Sequence, residues 1–284
     1  MPIAAKTRSA PNEMISLFGP RLPIDRDELD FQLATFKWLT GEFGPVGARP
    51  LILPTRAHFP LSGAAGEAGI REIFDLVRAA AGMANWPCEL RAGKSDVPLA
   101  AGNAHLLRHE GAPAPCGTFR VVDGPGGRQG LITYNPGMER DPPGLAATFA
   151  HELGYYLMAT ARGTPPGGWD LHELHTDLTA VYLGFGIFLA NSARNFRQFQ
   201  SAGEMGWSSR TQGYLSEGAL VTATAIFQRL VGRPPMDAAP HLKDYLRKDL
   251  KRADGALNKL APDMNAAIAA VDLDDYGSDL GPTD

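Results

Sequence analysis

Two long helical stretches, Gly144 to Ala161 and Leu171 to about Ser192, constrain the fold of this chain more than any other feature. Asp141 stands as an N-cap before Pro142 and Pro143, where a missing N–H costs nothing, and only Gly154 interrupts the run that follows. A loop around Gly163 to Gly168 leads to the second stretch, which Asp170 can cap. That stretch is polar for two turns and apolar from Leu178 onward, so its later half has to be buried. Such a pair needs apolar partners, and the rest of the chain must supply them.

Asp25 with Glu28 reads as a capping box, and Leu29, Leu33, Phe36 and Leu39 continue at helical spacing to Gly41 and Gly44. Arg49 to Pro54 reads as a short strand, and Ile70 to Ala81 as a helix with Ile70, Ile73, Phe74 and Val77 on one face. Thr118 to Val122 and Gln129 to Tyr134 read as a hairpin joined through Gly124 to Gly127. Further helices are expected at Glu217 to Val231 and Ala239 to Leu260, before an acidic tail from Asp272 to Asp284. The fold class expected is α+β: a small mixed sheet with flanking helices, a motif-bearing helix, and a helical C-terminal half. The division expected is 1–163 and 164–284.

Composition excludes several classes. With 27 Lys and Arg against 31 Asp and Glu, no basic field favours a nucleic-acid partner. Hydrophobic residues at 44% and charged residues at 20% describe a globular chain. The longest apolar run, Ala180 to Ala190, is too short to span a bilayer, and Met1 to Ala10 lacks the apolar core of a signal peptide. A cytoplasmic protein with no membrane partner is expected. Cys88 and Cys116 are read as reduced thiols, too few for a thiolate zinc site.

Three of the seven histidines precede a glutamate: His109-Glu110, His151-Glu152 and His172-Glu173. Chance predicts well under one. His151-Glu152-Leu-Gly-Tyr155 lies on the first long helix, and Glu173-Leu-His-Thr-Asp177 opens the second. Over these 27 residues the chain resembles the zincin metallopeptidases, specifically the gluzincins, in which H-E-x-x-H on one helix is followed by E-x-x-x-D on the next. The resemblance implies His151 and Glu173 as zinc ligands, Glu152 as the general base, Asp177 as the group orienting a ligand histidine, and a peptide or protein substrate. Glu173 to Asn191 also resembles a group of uncharacterised bacterial proteins carrying an H-E-x-x-H helix just upstream. By analogy, the strand Gln129 to Tyr134 is the candidate edge for an extended peptide.

The chain departs from the pattern at Tyr155, where the motif has its second histidine. Residues i and i+4 lie one above the other on a helix, so two imidazoles there reach one metal from a single turn. A phenol is protonated at neutral pH and extends farther from the backbone than an imidazole nitrogen. His172 or His175 could substitute from the second helix. His172 is nearer the Glu173 face, whereas His175 lies about 200° round the helix from Glu173. Two functions follow: a zinc-dependent peptide hydrolase with a substituted ligand, or a metal-free degenerate zincin serving as a binding or structural module, with His151 simply bonded to Asp177. His58, His105, His109 and His241 have no ligand spacing, and Gly124 to Gly127 lacks the Lys-Ser/Thr of a phosphate loop.

Overall fold

The computed structural model describes residues 21–47, 49–93, 117–124, 127–198 and 214–276. His105, His109-Glu110, Cys116, the middle of the hairpin turn and both chain ends lie outside the described residues. The fold is α+β. Helices α1 (Arg26–Phe43) and α2 (Gly66–Ala80) precede strands β1 (Cys88–Ala92), β2 (Gly117–Gly124) and β3 (Gly127–Tyr134). Helices α3 (Pro142–Met158), α4 (His172–Tyr182), α5 (Gly186–Gln198), α6 (Glu217–Leu230), α7 (Asp244–Leu260) and α8 (Met264–Ala269) follow.

Helix α3 is the centre of the molecule. The Asp141 side chain accepts from the Gly144 amide at 3.1 Å, and every residue from Gly144 to Gly154 is buried. A helix buried on all sides must be small or apolar almost everywhere, and Leu145, Ala146, Ala147, Phe149, Ala150 and Leu153 meet that demand. One face meets α2, where Phe74 stacks edge-on against Phe149 at 5.1 Å. Others meet the sheet, α4 and α5. Helix α1 is capped as expected, with Asp25 accepting from the Glu28 amide at 2.8 Å, and buries Leu29, Leu33, Phe36 and Leu39.

The sheet order is β1-β3-β2, with β1 parallel and β2 antiparallel to β3. The expected hairpin is present, but Gln129 to Tyr134 belongs to the middle strand and offers no edge. Strand β2 lies at one side of the sheet, over α3. Strand β1 was not expected, because only Leu90 of its five residues is buried, which leaves no alternation to read.

Four further expectations are corrected. Arg49 to Pro54 is irregular: Pro50 and Pro54 have no amide to donate to a ladder, and the Ile52 amide bonds instead to the Gly184 carbonyl at 2.9 Å. The stretch from Leu171 to Ser192 is two helices, broken where Gly184 turns to φ +100° against Pro50. Asp170 does not cap it; a short 3-10 turn over Trp169–Leu171 leads in, and the N-cap Leu171 makes no side-chain bond. The helix expected from Ala239 begins only at Asp244, after a 3-10 turn over Pro235–His241 and an extended Leu242. Asn191 holds that break, donating to the His241 carbonyl at 2.9 Å and accepting from the Lys243 amide at 3.0 Å.

One apolar core runs from Leu29 on α1 to Ile268 on α8. Among the described residues no helix is long and apolar enough to cross a membrane.

A Cβ on Gly184 would stand 2.4 Å from the Pro50 carbonyl oxygen on a backbone that L side chains rarely adopt. Gly184→Ala is therefore expected to cost about 3 kcal/mol, from backbone strain and overpacking together, read as a lower midpoint in urea denaturation.

Candidate metal centre

The site exists because α3 and α4 approach at glycine distance. A Cβ on Gly154 would meet the Thr176 carbonyl oxygen at 3.0 Å and the Ala180 amide nitrogen at 3.3 Å. Neither helix can recede to admit one without opening the core, since Leu153, Leu178 and Ala180 are fully buried around it. This packing sets the side chain of His151 against the first two turns of α4.

His151 is held from both sides. Its Nδ1 lies 3.0 Å from Asp177 Oδ1, and its Nε2 lies 3.3 Å from Glu173 Oε2. Asp177 is itself anchored, its other oxygen accepting from the Leu215 amide at 2.8 Å. The Tyr214 ring packs against the imidazole at 5.0 Å. Burial opposes an imidazolium at His151, but the two carboxylates outweigh it and raise its pKa well above the ordinary value. Burial pushes Asp177 up, against the pull of His151.

Glu173 joins a second imidazole to the first. Its Oε1 lies 3.3 Å from His172 Nε2, while His172 Nδ1 lies 3.1 Å from the Trp169 carbonyl oxygen. Burial would raise Glu173, yet the two imidazoles hold its carboxyl well below the usual range. Carbonyl and carboxylate oxygens accept, so both histidines donate from Nδ1, and both aim Nε2 at one carboxylate, whose hydrogen bond and charge also raise the pKa of His172.

Glu152 is buried on the sheet side of α3. A Cβ on Gly117, at the start of β2, would meet Thr148 Cγ2 at 2.6 Å and Glu152 Oε1 at 3.1 Å. Glycine there lets the strand close over the carboxyl. Burial, reinforced by Glu173 and opposed by His151, pushes Glu152 up to about 7. A carboxyl poised near neutrality suits proton transfer in either direction.

Tyr155 is half-buried, with its ring 5.5 Å from Phe119 and 5.9 Å from His172. Burial and the carboxylates of Glu173 and Glu152 raise its phenol pKa, so it stays protonated. His175 is not brought to the site. It is fully buried on the opposite face of α4, with Nδ1 at 3.3 Å from Thr35 Oγ1 and Nε2 at 2.9 Å from the Pro166 carbonyl oxygen. Burial pushes it down to about 4. The helical angle that separates it from Glu173 is the reason.

Sequence reasoning thus picked out His151, Glu152, His172, Glu173 and Asp177, which the fold brings together. It missed the Trp169 carbonyl, the Leu215 amide, the Tyr214 ring and Gly117. The first two are backbone groups, and no residue type announces them.

The donor chemistry fits a zinc ion. Each ligating histidine of such a site ties its other nitrogen to an oxygen acceptor, as His151 and His172 do. Bonds of about 2.0–2.1 Å in a tetrahedron place neighbouring donors roughly 3.4 Å apart. Both imidazole-to-carboxylate contacts are 3.3 Å. Glu173 Oε2 is buried and makes no hydrogen bond, despite its distance from His151 Nε2. The donors form a chain with the carboxylate in the middle, and among the described residues no group of three or more His, Cys, Asp or Glu is gathered closely enough to hold a metal ion as it stands.

Comparison of the chain with models of protein families, with curated proteins and with solved structures gives no match.

The buried His175 generates a stability test. It is neutral in the fold, with its pKa at about 4, while the unfolded chain titrates near the ordinary 6.5. Between these values the unfolded chain binds a proton that the folded chain refuses. The His175 contribution is whole above pH 6.5 and declines as pH falls toward 4, by on the order of 3 kcal/mol. Urea denaturation of the wild type and His175→Gln across this range is expected to show the gap between them narrowing as the pH is lowered. A gap independent of pH would contradict a buried neutral imidazole.

Proposed function

We propose that this protein is a zincin-like, zinc-dependent hydrolase of peptide bonds, working as a water-soluble protein in the cytoplasm. The observation that carries the reading is the pair of imidazoles whose Nδ1 atoms are tied to oxygen acceptors while both Nε2 atoms face Glu173 at 3.3 Å. Glu173 raises the pKa of both imidazoles and so favours positive charge on its two flanks, and a zinc ion seated between them would displace the Nε2 protons and supply that charge instead. His151, His172 and Glu173 would hold the ion. When bound, zinc supplies Lewis acidity, lowering the pKa of a water molecule and polarising a carbonyl.

The residues of the chain do the rest. Asp177 fixes the tautomer and direction of His151. Glu152 takes the proton of the attacking water and returns it to the leaving amine, a shuttle for which a pKa of about 7 is suited. A peptide substrate is favoured by the position of β2, which has one sheet neighbour among the described residues and begins beside Glu152. An extended chain could add there as a further strand.

A second reading has an observation of its own. Tyr155 stands where the motif has an imidazole, and a protonated His151 between Asp177 and Glu173 would complete an ion-pair network without metal. On that reading the protein is a metal-free binding or structural module.

Elemental mass spectrometry of the purified protein separates the two. The hydrolase reading expects about one zinc per chain, lost in His172→Ala and in Glu173→Gln. It expects Glu152→Gln to keep its zinc while cleavage of a fluorescence-quenched peptide library falls at least about 100-fold. A wild-type protein that takes up no zinc would establish the metal-free module.

A further inference from the structure

His172 is the weakly held member of the donor set. It opens α4 behind a short 3-10 turn, and its side chain is 40% exposed, against 6% for His151. Its partner Trp169 is a neighbour along the chain, and Glu173 links it to His151 on α3 only through the two oxygens of one carboxylate. Tyr155, on α3, meets it directly. Its ring meets the His172 ring edge-on, with centroids 5.9 Å apart and planes at 84°.

Tyr155 is also the end of a row of rings. Trp86 meets Tyr156 at 4.9 Å and 87°, Tyr156 stacks on Phe119 at 4.9 Å and 28°, and Phe119 meets Tyr155 at 5.5 Å. The row is anchored at its far end, where the Tyr156 hydroxyl donates to the Pro87 carbonyl at 3.1 Å. Gly130 on β3 leaves it room, since a Cβ there would stand 2.9 Å from Tyr156 and 3.1 Å from Phe119. Rings in edge-on or offset contact resist displacement, each contact adding roughly 0.5–1.5 kcal/mol beyond burial. The sheet is thereby coupled through Phe119 and Tyr155 to one imidazole.

We propose that Tyr155 is a positioning residue for His172: it ends an aromatic row that sets the place of the α4 imidazole, and so lets that imidazole replace the one absent from α3. The inference rests on the metal-binding reading above and adds the reason why a motif with tyrosine at position 155 still assembles three donors.

The test compares wild type with Tyr155→Phe, Tyr155→Leu and the double variant Tyr155→His/His172→Ala. Zinc affinity is read by competition with a chromophoric chelator, and the His172 ring protons by NMR of the zinc-free protein. Tyr155→Phe keeps the ring and is expected to bind within about 2-fold of wild type. Tyr155→Leu fills the space without a ring and is expected to lose about 10- to 100-fold, as outer-shell substitutions do, with His172 ring protons losing the shift that a neighbouring aromatic edge imposes. The double variant is expected to bind zinc, because it returns the imidazole to one turn beyond His151. Tyr155→Leu with wild-type affinity and unmoved His172 resonances would overturn the proposal, as would a double variant that binds no zinc beside a wild type that does. If the wild type itself binds none, the hydrolase reading fails, and the His172 resonances in Tyr155→Leu still decide whether Tyr155 holds that ring.

Discussion

Everything near the site depends on the close contact of α3 with α4 at Gly154. A glycine there lets one helix approach the backbone of the other, and the polar side chains on either side of the contact are forced into each other's company. His151, Glu152 and Asp177 are buried in an otherwise apolar layer. Buried charge is costly unless it is paired, and here each group is supplied with a partner or a neighbouring charge from the facing helix. The apolar residues around them, Leu153, Leu178 and Ala180, keep the helices from separating to let water in.

The arrangement spends several residues on aiming others. Asp177 touches nothing that could react, yet it sets which nitrogen of His151 carries the proton, and the Leu215 amide in turn sets Asp177. The Trp169 carbonyl performs the same service for His172. Both imidazoles consequently face Glu173, and Glu152, close enough to feel the charges of His151 and Glu173, lies beneath the first residue of β2. An imidazole–carboxylate chain beside a carboxyl raised toward neutrality is the feature on which the proposed hydrolase rests.

Much of this was legible in the residues. Asp141, two prolines and an uninterrupted apolar run locate α3 because capping and helical periodicity are local properties. The i to i+4 relation of Glu173 to Asp177 places both on one face of α4, and the same geometry sends His175 to the other face, where it joins Thr35 and Pro166. Strand β1 was not legible, since a short strand at the side of a sheet with one buried side chain carries no alternation. Nor were the breaks at Gly184 and Leu242, where a carbonyl of the 49–54 segment and the Asn191 amide, both distant in sequence, decide the matter.

The sequence by itself determined where α1, α2, α3 and α6 lie, which faces they bury, and that His151 on α3 would face Glu173 and Asp177 on the next helix, because these follow from side chains spaced three or four residues apart. Tertiary structure alone decided that His172 and not His175 meets Glu173, that β2 closes over Glu152, and that the Tyr155 ring lies against His172. Those choices rest on contacts between residues far apart in the chain and on backbone carbonyls and amides, which every residue possesses and no sequence pattern distinguishes.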